Sequence, residues 1–64
     1  MQAYNTLEVA KMAKQAEFGN DTLCVIFRND QQSLQGIFRY RVASTIEQVA
    51  QCMNDGFKIA VAVC

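Results

Sequence analysis

Residues 33–42, SLQGIFRYRV, alternate with a period of two, and this pattern most constrains the fold. One parity is mainly apolar and consists of Leu34, Gly36, Phe38, Tyr40 and Val42. The other parity carries Arg39 and Arg41. Successive strand residues point to opposite sides of a sheet, so the pattern predicts a strand with one core face and one cationic face. Gly36 within it predicts a bulge.

The length of the chain limits it to a single small domain. It has 64 residues, so we expect one interaction domain over 1–64 with a modest core. Hydrophobic residues make up 52% of the chain, which favours either an efficient core or apolar surface that a partner completes. Six basic and six acidic residues cancel, so we expect electrostatic attraction to be local rather than global.

The sequence predicts neither a membrane segment nor a bound cofactor. No apolar run is long enough to span a bilayer, and the N-terminal residues lack a secretion signal pattern, so we expect a cytoplasmic protein. Cys24, Cys52 and Cys64 are odd in number, widely spaced and unaccompanied by histidine, which argues against a metal site. We expect reduced thiols that pack as small apolar groups, with a disulfide involving two of them as the alternative.

Two capping patterns predict two helices. Asn5 stands three residues before Glu8, and Ser44 stands three residues before Glu47. An apolar stripe at helical spacing follows each cap, and we expect both stripes to be buried. The stripes are Val9, Met12, Ala13 and Ala16 in the first helix and Ile46, Val49, Ala50 and Met53 in the second. A glycine-containing turn after each stripe predicts where the helix ends.

Two further segments predict strands. Residues 22–28 are rich in β-branched and aromatic side chains, and residues 57–64 alternate large with small side chains. A polar loop at 29–32 is short enough for a hairpin. The chain therefore predicts an α+β domain of order α-β-β-α-β with a three-stranded, largely antiparallel sheet. We expect both helices on one face, the second making a right-handed crossover from the second strand to the third.

The opposite face would then be cationic and aliphatic. Four of the six basic residues lie on predicted strands, whereas the six acidic residues lie on helices or in connections. Such segregation in a neutral chain is typical of a binding surface. The predicted partner-binding residues are Arg28, Arg39, Arg41 and Lys58 as charged contacts, with Ile26 and Ile37 as the apolar centre.

These patterns favour a non-enzymatic protein-interaction domain. The chain has no histidine to activate a nucleophile and no glycine-rich phosphate-binding motif. We expect it to occupy a surface of a larger cytosolic protein or complex as an inhibitor or modulator. The small inhibitors of phages and mobile elements are an analogy in size and lack of catalytic groups only. A homodimer, in which acidic helix ends meet the basic face of the other copy, is a further expectation.

Two alternatives account for the same cationic face. An antiparallel sheet commonly leaves one face in water, and the apolar stems of arginines are an ordinary cover for it. The other alternative is a small nucleic-acid-binding module. It is less favoured because Phe38 and Tyr40 have core parity, which leaves the cationic face without aromatic rings on which bases could stack.

Overall fold

The computed structural model describes residues 2–29 and 39–64. The elements in these ranges are α1 (Leu7–Phe18), β1 (Cys24–Asn29), β2 (Arg39–Ala43), α2 (Ile46–Asn54) and β3 (Lys58–Val63). The strands form one sheet in the order β2-β1-β3, with β1 antiparallel to both neighbours. The predicted α+β class and element order are therefore confirmed. Residues 33–38 of the predicted second strand, with the bulge expected at Gly36, lie outside the described residues. Asn29, predicted to begin the hairpin loop, is instead the last residue of β1, and the rest of that loop, 30–32, also lies outside the described residues.

Both helices are capped one residue later than the sequence predicted. The Thr6 hydroxyl accepts a hydrogen bond of 3.1 Å from the Val9 N–H, so Thr6 rather than Asn5 caps α1. The Thr45 hydroxyl accepts a hydrogen bond of 3.2 Å from the Gln48 N–H at the start of α2. The residue before each threonine also carries a suitable side-chain oxygen, so residue type alone does not distinguish the two positions.

The first helix ends at a glycine, as predicted. Gly19 has φ of 76°, in the left-handed region that glycine adopts without strain, and its N–H donates to the Gln15 carbonyl at 3.0 Å. The Lys14 ammonium group donates to the Gly19 carbonyl. Lys14 is only 2% exposed, so its apolar stem is buried while its charge is hydrogen-bonded at the helix end.

The two helices lie on opposite faces of the sheet, which corrects the expectation that both pack on one face. Ile26 packs with Ala10 on the α1 side, whereas the next residue, Phe27, packs with Cys52 on the α2 side. Successive strand residues point to opposite faces, so β1 is buried on both. The uninterrupted apolar run at 23–27 is the sequence signal for a strand that is covered on two sides.

Each face of the sheet has its own core cluster. The α1-side cluster contains Tyr4, Leu7, Ala10, Ile26, Tyr40, Val42, Val61 and Val63. The α2-side cluster contains Val25, Phe27, Ala43, Val49, Cys52 and Phe57. Because the core is divided in this way, each helix buries only a narrow stripe of its side chains.

The helix faces that contact the sheet differ from the predicted stripes. In α1, Ala10 and Lys14 are buried, whereas Met12 of the predicted stripe is 69% exposed. In α2, Cys52 is buried, whereas Ile46 is 85% exposed. The periodicities are present in the sequence, but packing against the two-sided sheet sets the rotation of each helix. Apolar side chains therefore cover part of the outer surface of both helices.

A bulge in β3 changes which face its side chains occupy. Ile26 lies opposite Val61, but Phe27 lies opposite Ile59, so Ala60 is an extra residue in β3. Ile59 and Val61 therefore point to opposite faces, although strict alternation predicted that they share one. Val61 joins the α1-side cluster, while Ile59 on the α2 side is 63% exposed.

Two isoleucines on neighbouring strands provide a matched test of the two-sided burial of β1. Ile26→Ala leaves a cavity under α1, and we expect it to lower the free energy of unfolding by about 2–5 kcal/mol. Ile59→Ala, at an exposed position, should lower it by less than about 0.5 kcal/mol. Urea titrations followed by circular dichroism measure both effects. Equal losses in the two variants would contradict the faces assigned to β1 and β3.

Candidate functional site

The predicted cationic contacts are divided between the two faces of the sheet. Residues directly opposite each other in an antiparallel pair share a face. Arg28 lies opposite Tyr40 in β2 and Lys58 in β3, which places both cations on the α1 side. Arg39 and Arg41 have the other parity in β2 and lie on the α2 side. The structure therefore does not form the single four-cation surface that the sequence predicted.

The predicted apolar centre of the contact surface is not accessible. Ile26 is 0% exposed because α1 covers the face that was expected to be open. The prediction that Ile26 contacts a partner is therefore wrong. Ile37, the second predicted apolar contact, lies outside the described residues.

Arg41 is engaged in contacts within the domain. Its Nη1 donates to Oδ2 of Asp55, and its guanidinium carbon lies 4.4 Å from the centre of the Phe57 ring. Its Nε is buried and has no hydrogen-bond partner among residues 2–29 and 39–64. These contacts connect β2 to the end of α2 and to the residue before β3, so Arg41 contributes to the fold.

Arg28 and Lys58 border a cleft of about 330 Å³ on the α1 side. The cleft is lined by Leu7, Arg28, Tyr40, Lys58, Ile59 and Ala60. Two positive charges directly opposite each other on neighbouring strands give this part of the surface a positive potential, which attracts an acidic group. The cleft therefore combines two cations with apolar side chains, and it can hold an acidic group next to an aliphatic one.

Three different elements and one bulge build this cleft. Arg28 is close to the end of β1, Lys58 begins β3, and Leu7 begins α1. Ile59 and Ala60 line it at the bulge in β3. Sequence reasoning missed the contributions of Leu7, Tyr40, Ile59 and Ala60. No local signal marks them, because they meet only through strand register and helix docking.

Burial governs the chemistry of two of the three cysteines. Burial raises the pKa of the Cys24 thiol, with Lys14 acting in the opposite direction. Burial also raises the pKa of the Cys52 thiol, and the nearby Arg41 guanidinium partly offsets this effect. Cys64 is exposed, and none of the three cysteines forms a disulfide within the described residues. The protonated, buried thiols are poor nucleophiles.

The described residues contain neither a metal-binding cluster nor a helix that could cross a membrane. No three His, Cys, Asp or Glu side chains within 2–29 and 39–64 are grouped to hold a metal ion. No helix in these ranges is long and apolar enough to span a bilayer.

Comparisons of the chain with protein-family models, curated proteins and solved structures found no match. The function is therefore inferred from the residues and their geometry.

Thiol labelling tests the burial of the two sulfhydryl groups. We expect iodoacetamide at neutral pH to modify Cys64 rapidly in the folded protein. Cys24 and Cys52 should react much more slowly, because they are buried and because a raised pKa leaves less thiolate. Mass spectrometry of timed samples measures the rates, and labelling in urea provides the control in which all three sites react. Rapid labelling of Cys52 in the folded state would contradict its placement.

A matched pair of arginine variants tests the role of Arg41. Arg41→Lys keeps the charge but loses the planar group over Phe57, so we expect a loss of about 1 kcal/mol in the free energy of unfolding. Arg39→Lys, at an exposed position on the same strand, should change it by less than about 0.5 kcal/mol. Urea titration measures both. An unchanged Arg41→Lys protein would show that the guanidinium contacts are dispensable.

Proposed function

We propose that this chain is a small, non-enzymatic interaction domain that binds an acidic segment of a larger protein and modulates that protein by covering its surface. The observation that carries the proposal is the cleft in which Arg28 and Lys58 face each other across neighbouring strands. Both side chains are exposed, so a carboxylate can approach them from solvent. A charge-assisted contact to arginine adds directional hydrogen bonds to the attraction.

The apolar part of the lining favours a protein ligand over a free anion. Leu7 at the start of α1 lies beside the cations, and Ala60 adds a small apolar residue to the lining. A segment in which an acidic residue adjoins an aliphatic one would match both parts of the cleft. A volume of about 330 Å³ is at the lower end for ligand pockets and accommodates a few side chains. Most of the partner must therefore rest on the surrounding surface, which supports a macromolecular partner.

The charge and aromatic content of the domain favour protein over nucleic acid. Six basic and six acidic residues cancel, so the chain has no net attraction to a phosphate backbone. Single-stranded nucleic acids are commonly held by exposed aromatic rings. The aromatic residues of the described ranges are buried or half-buried, and they are Tyr4, Phe18, Phe27, Tyr40 and Phe57.

A peptide titration tests the cleft directly. The probe is a short peptide that alternates glutamate with leucine, and the matched control peptide has glutamine in place of glutamate. We expect the acidic peptide to shift the amide resonances of Leu7, Arg28 and Lys58 in ¹H–¹⁵N spectra. The double variant Arg28→Glu with Lys58→Glu should weaken binding by at least about tenfold, because it replaces two attractive charges with repulsive ones.

A second double variant controls for net charge. Lys11→Glu with Arg39→Glu makes the same change in charge at exposed positions outside the cleft, and it should bind the peptide nearly as well as the unmodified protein does. Equal weakening in both double variants would indicate a non-specific electrostatic effect. Equal binding of the glutamate and glutamine peptides would contradict the proposed acidic partner.

Chromatography on heparin separates this proposal from the nucleic-acid alternative. We expect the protein to flow through at about physiological ionic strength, because two cations at one cleft make few phosphate contacts. Retention that decreases steeply with added salt would favour a nucleic-acid-binding module instead. The cleft double variant provides the control, since retention through Arg28 and Lys58 would disappear with it.

A further inference from the structure

The outer edge of β3 is open in the described part of the chain. β3 (Lys58–Val63) hydrogen-bonds to β1 on one side, and it is the last strand in the sheet order. No strand within residues 2–29 and 39–64 lies on its other side. An edge strand presents a row of backbone N–H and C=O groups that can pair with another strand.

The opposite edge of the sheet is partly covered by the chain itself. Tyr4 forms an isolated antiparallel bridge with Tyr40 of β2. The Tyr4 N–H donates to the Tyr40 carbonyl at 2.7 Å, and the Tyr40 N–H donates to the Tyr4 carbonyl at 2.8 Å. The two edges therefore differ, and β3 is the one that offers its backbone to another molecule.

The side chains of β3 favour pairing along its C-terminal half. Natural edge strands resist pairing by means of charges, prolines or bulges. Lys58 is the only charged residue of β3, and together with the bulge at Ala60 it lies in the N-terminal half. The stretch that follows, Val61 to Val63, has only small or β-branched apolar side chains. Such residues have high β-propensity and pack well across strands.

We propose that β3 pairs antiparallel with β3 of a second copy, joining two three-stranded sheets into one sheet of six strands. An antiparallel pair related by a two-fold axis places one residue opposite its own counterpart. With Ala62 at that position, Val61 of each copy lies opposite Val63 of the other, so opposed residues share a face and the bulge at Ala60 stays outside the paired stretch. This register places small and apolar residues opposite each other along the shared edge.

The distribution of charge favours a second copy in this orientation. Antiparallel pairing puts the two Lys58 side chains at opposite ends of the shared edge, whereas parallel pairing would put them side by side. The formal net charge of zero adds no long-range repulsion between copies. This dimer differs from the one expected from the sequence, in which a basic sheet face met acidic helix ends, because helices cover both faces of the sheet.

The arrangement also determines how the two copies face a partner. The two-fold axis is perpendicular to the joint sheet, so both α1 helices lie on the same side. Both clefts between Arg28 and Lys58 then open toward that side, which would let one dimer contact two acidic segments. The pairing itself is independent of the proposed function, because it uses the backbone of β3.

The solution mass of a designed variant tests the proposal. In the reduced full chain, light scattering over a concentration series should show a mass that approaches twice 7.2 kDa. Ala62→Lys should raise the dissociation constant of the dimer at least tenfold, because it places one lysine from each copy in the shared edge, where the two positive charges oppose strand pairing. Ala16→Lys, at an exposed alanine of α1, makes the same chemical change and should leave the constant unchanged. A wild-type protein that stays monomeric up to about 1 mM would overturn the proposal.

Hydrogen exchange tests the same edge without any substitution. The amides of β3 that point away from β1 should exchange more slowly as the concentration of wild-type protein rises, because pairing with a second copy protects them. Amides in α1 and α2 should show no such dependence. A dimer whose concentration-dependent protection lies on a helix rather than on β3 would overturn the edge assignment, whatever the behaviour of the variants. Neither measurement changes a cleft residue, so failure here leaves the proposed function to its own tests.

Discussion

The structure depends on the burial of β1 on both faces. Ile26 and Phe27 are consecutive and both are 0% exposed, one beneath α1 and the other beneath α2. A chain of 64 residues can bury only a small core. Because that core is divided between two faces of the sheet, each helix has only a narrow contact with the sheet. Small residues such as Ala10 and Cys52 suit that contact because they let the helices approach the sheet closely.

Two-sided burial also determines where charges can be used. A strand that is covered on both faces leaves exposed positions mainly at its ends, and Arg28 lies near such an end beside Lys58. Arg41 instead lies over Phe57 and pairs with Asp55, so its charge helps to attach α2 to the sheet. Arginine thus lies at an exposed cleft on the α1 side and stabilises the fold on the α2 side, according to how closely a helix packs above it.

The cleft and the β3 edge use different chemistry. The cleft depends on two cations and their apolar neighbours, whereas the edge depends on backbone groups that are available whatever side chains they carry. Ile59 and Ala60 adjoin both, because the bulge occurs where β3 leaves the cleft and continues along the edge. A dimer formed through β3 would therefore place the two clefts in a defined relation to each other.

The sequence by itself determined the element order, the helix stop at Gly19 and the antiparallel pairing of β1 with β2, because capping, turn and period-two signals are local. Only the tertiary structure decided which faces are buried. Lys14 is buried because its stem packs inward while its ammonium group reaches the Gly19 carbonyl, which periodicity does not reveal. One extra residue at Ala60 put Ile59 and Val61 on opposite faces. Rotation of a helix and register of a strand depend on contacts between distant segments, so local patterns do not determine them.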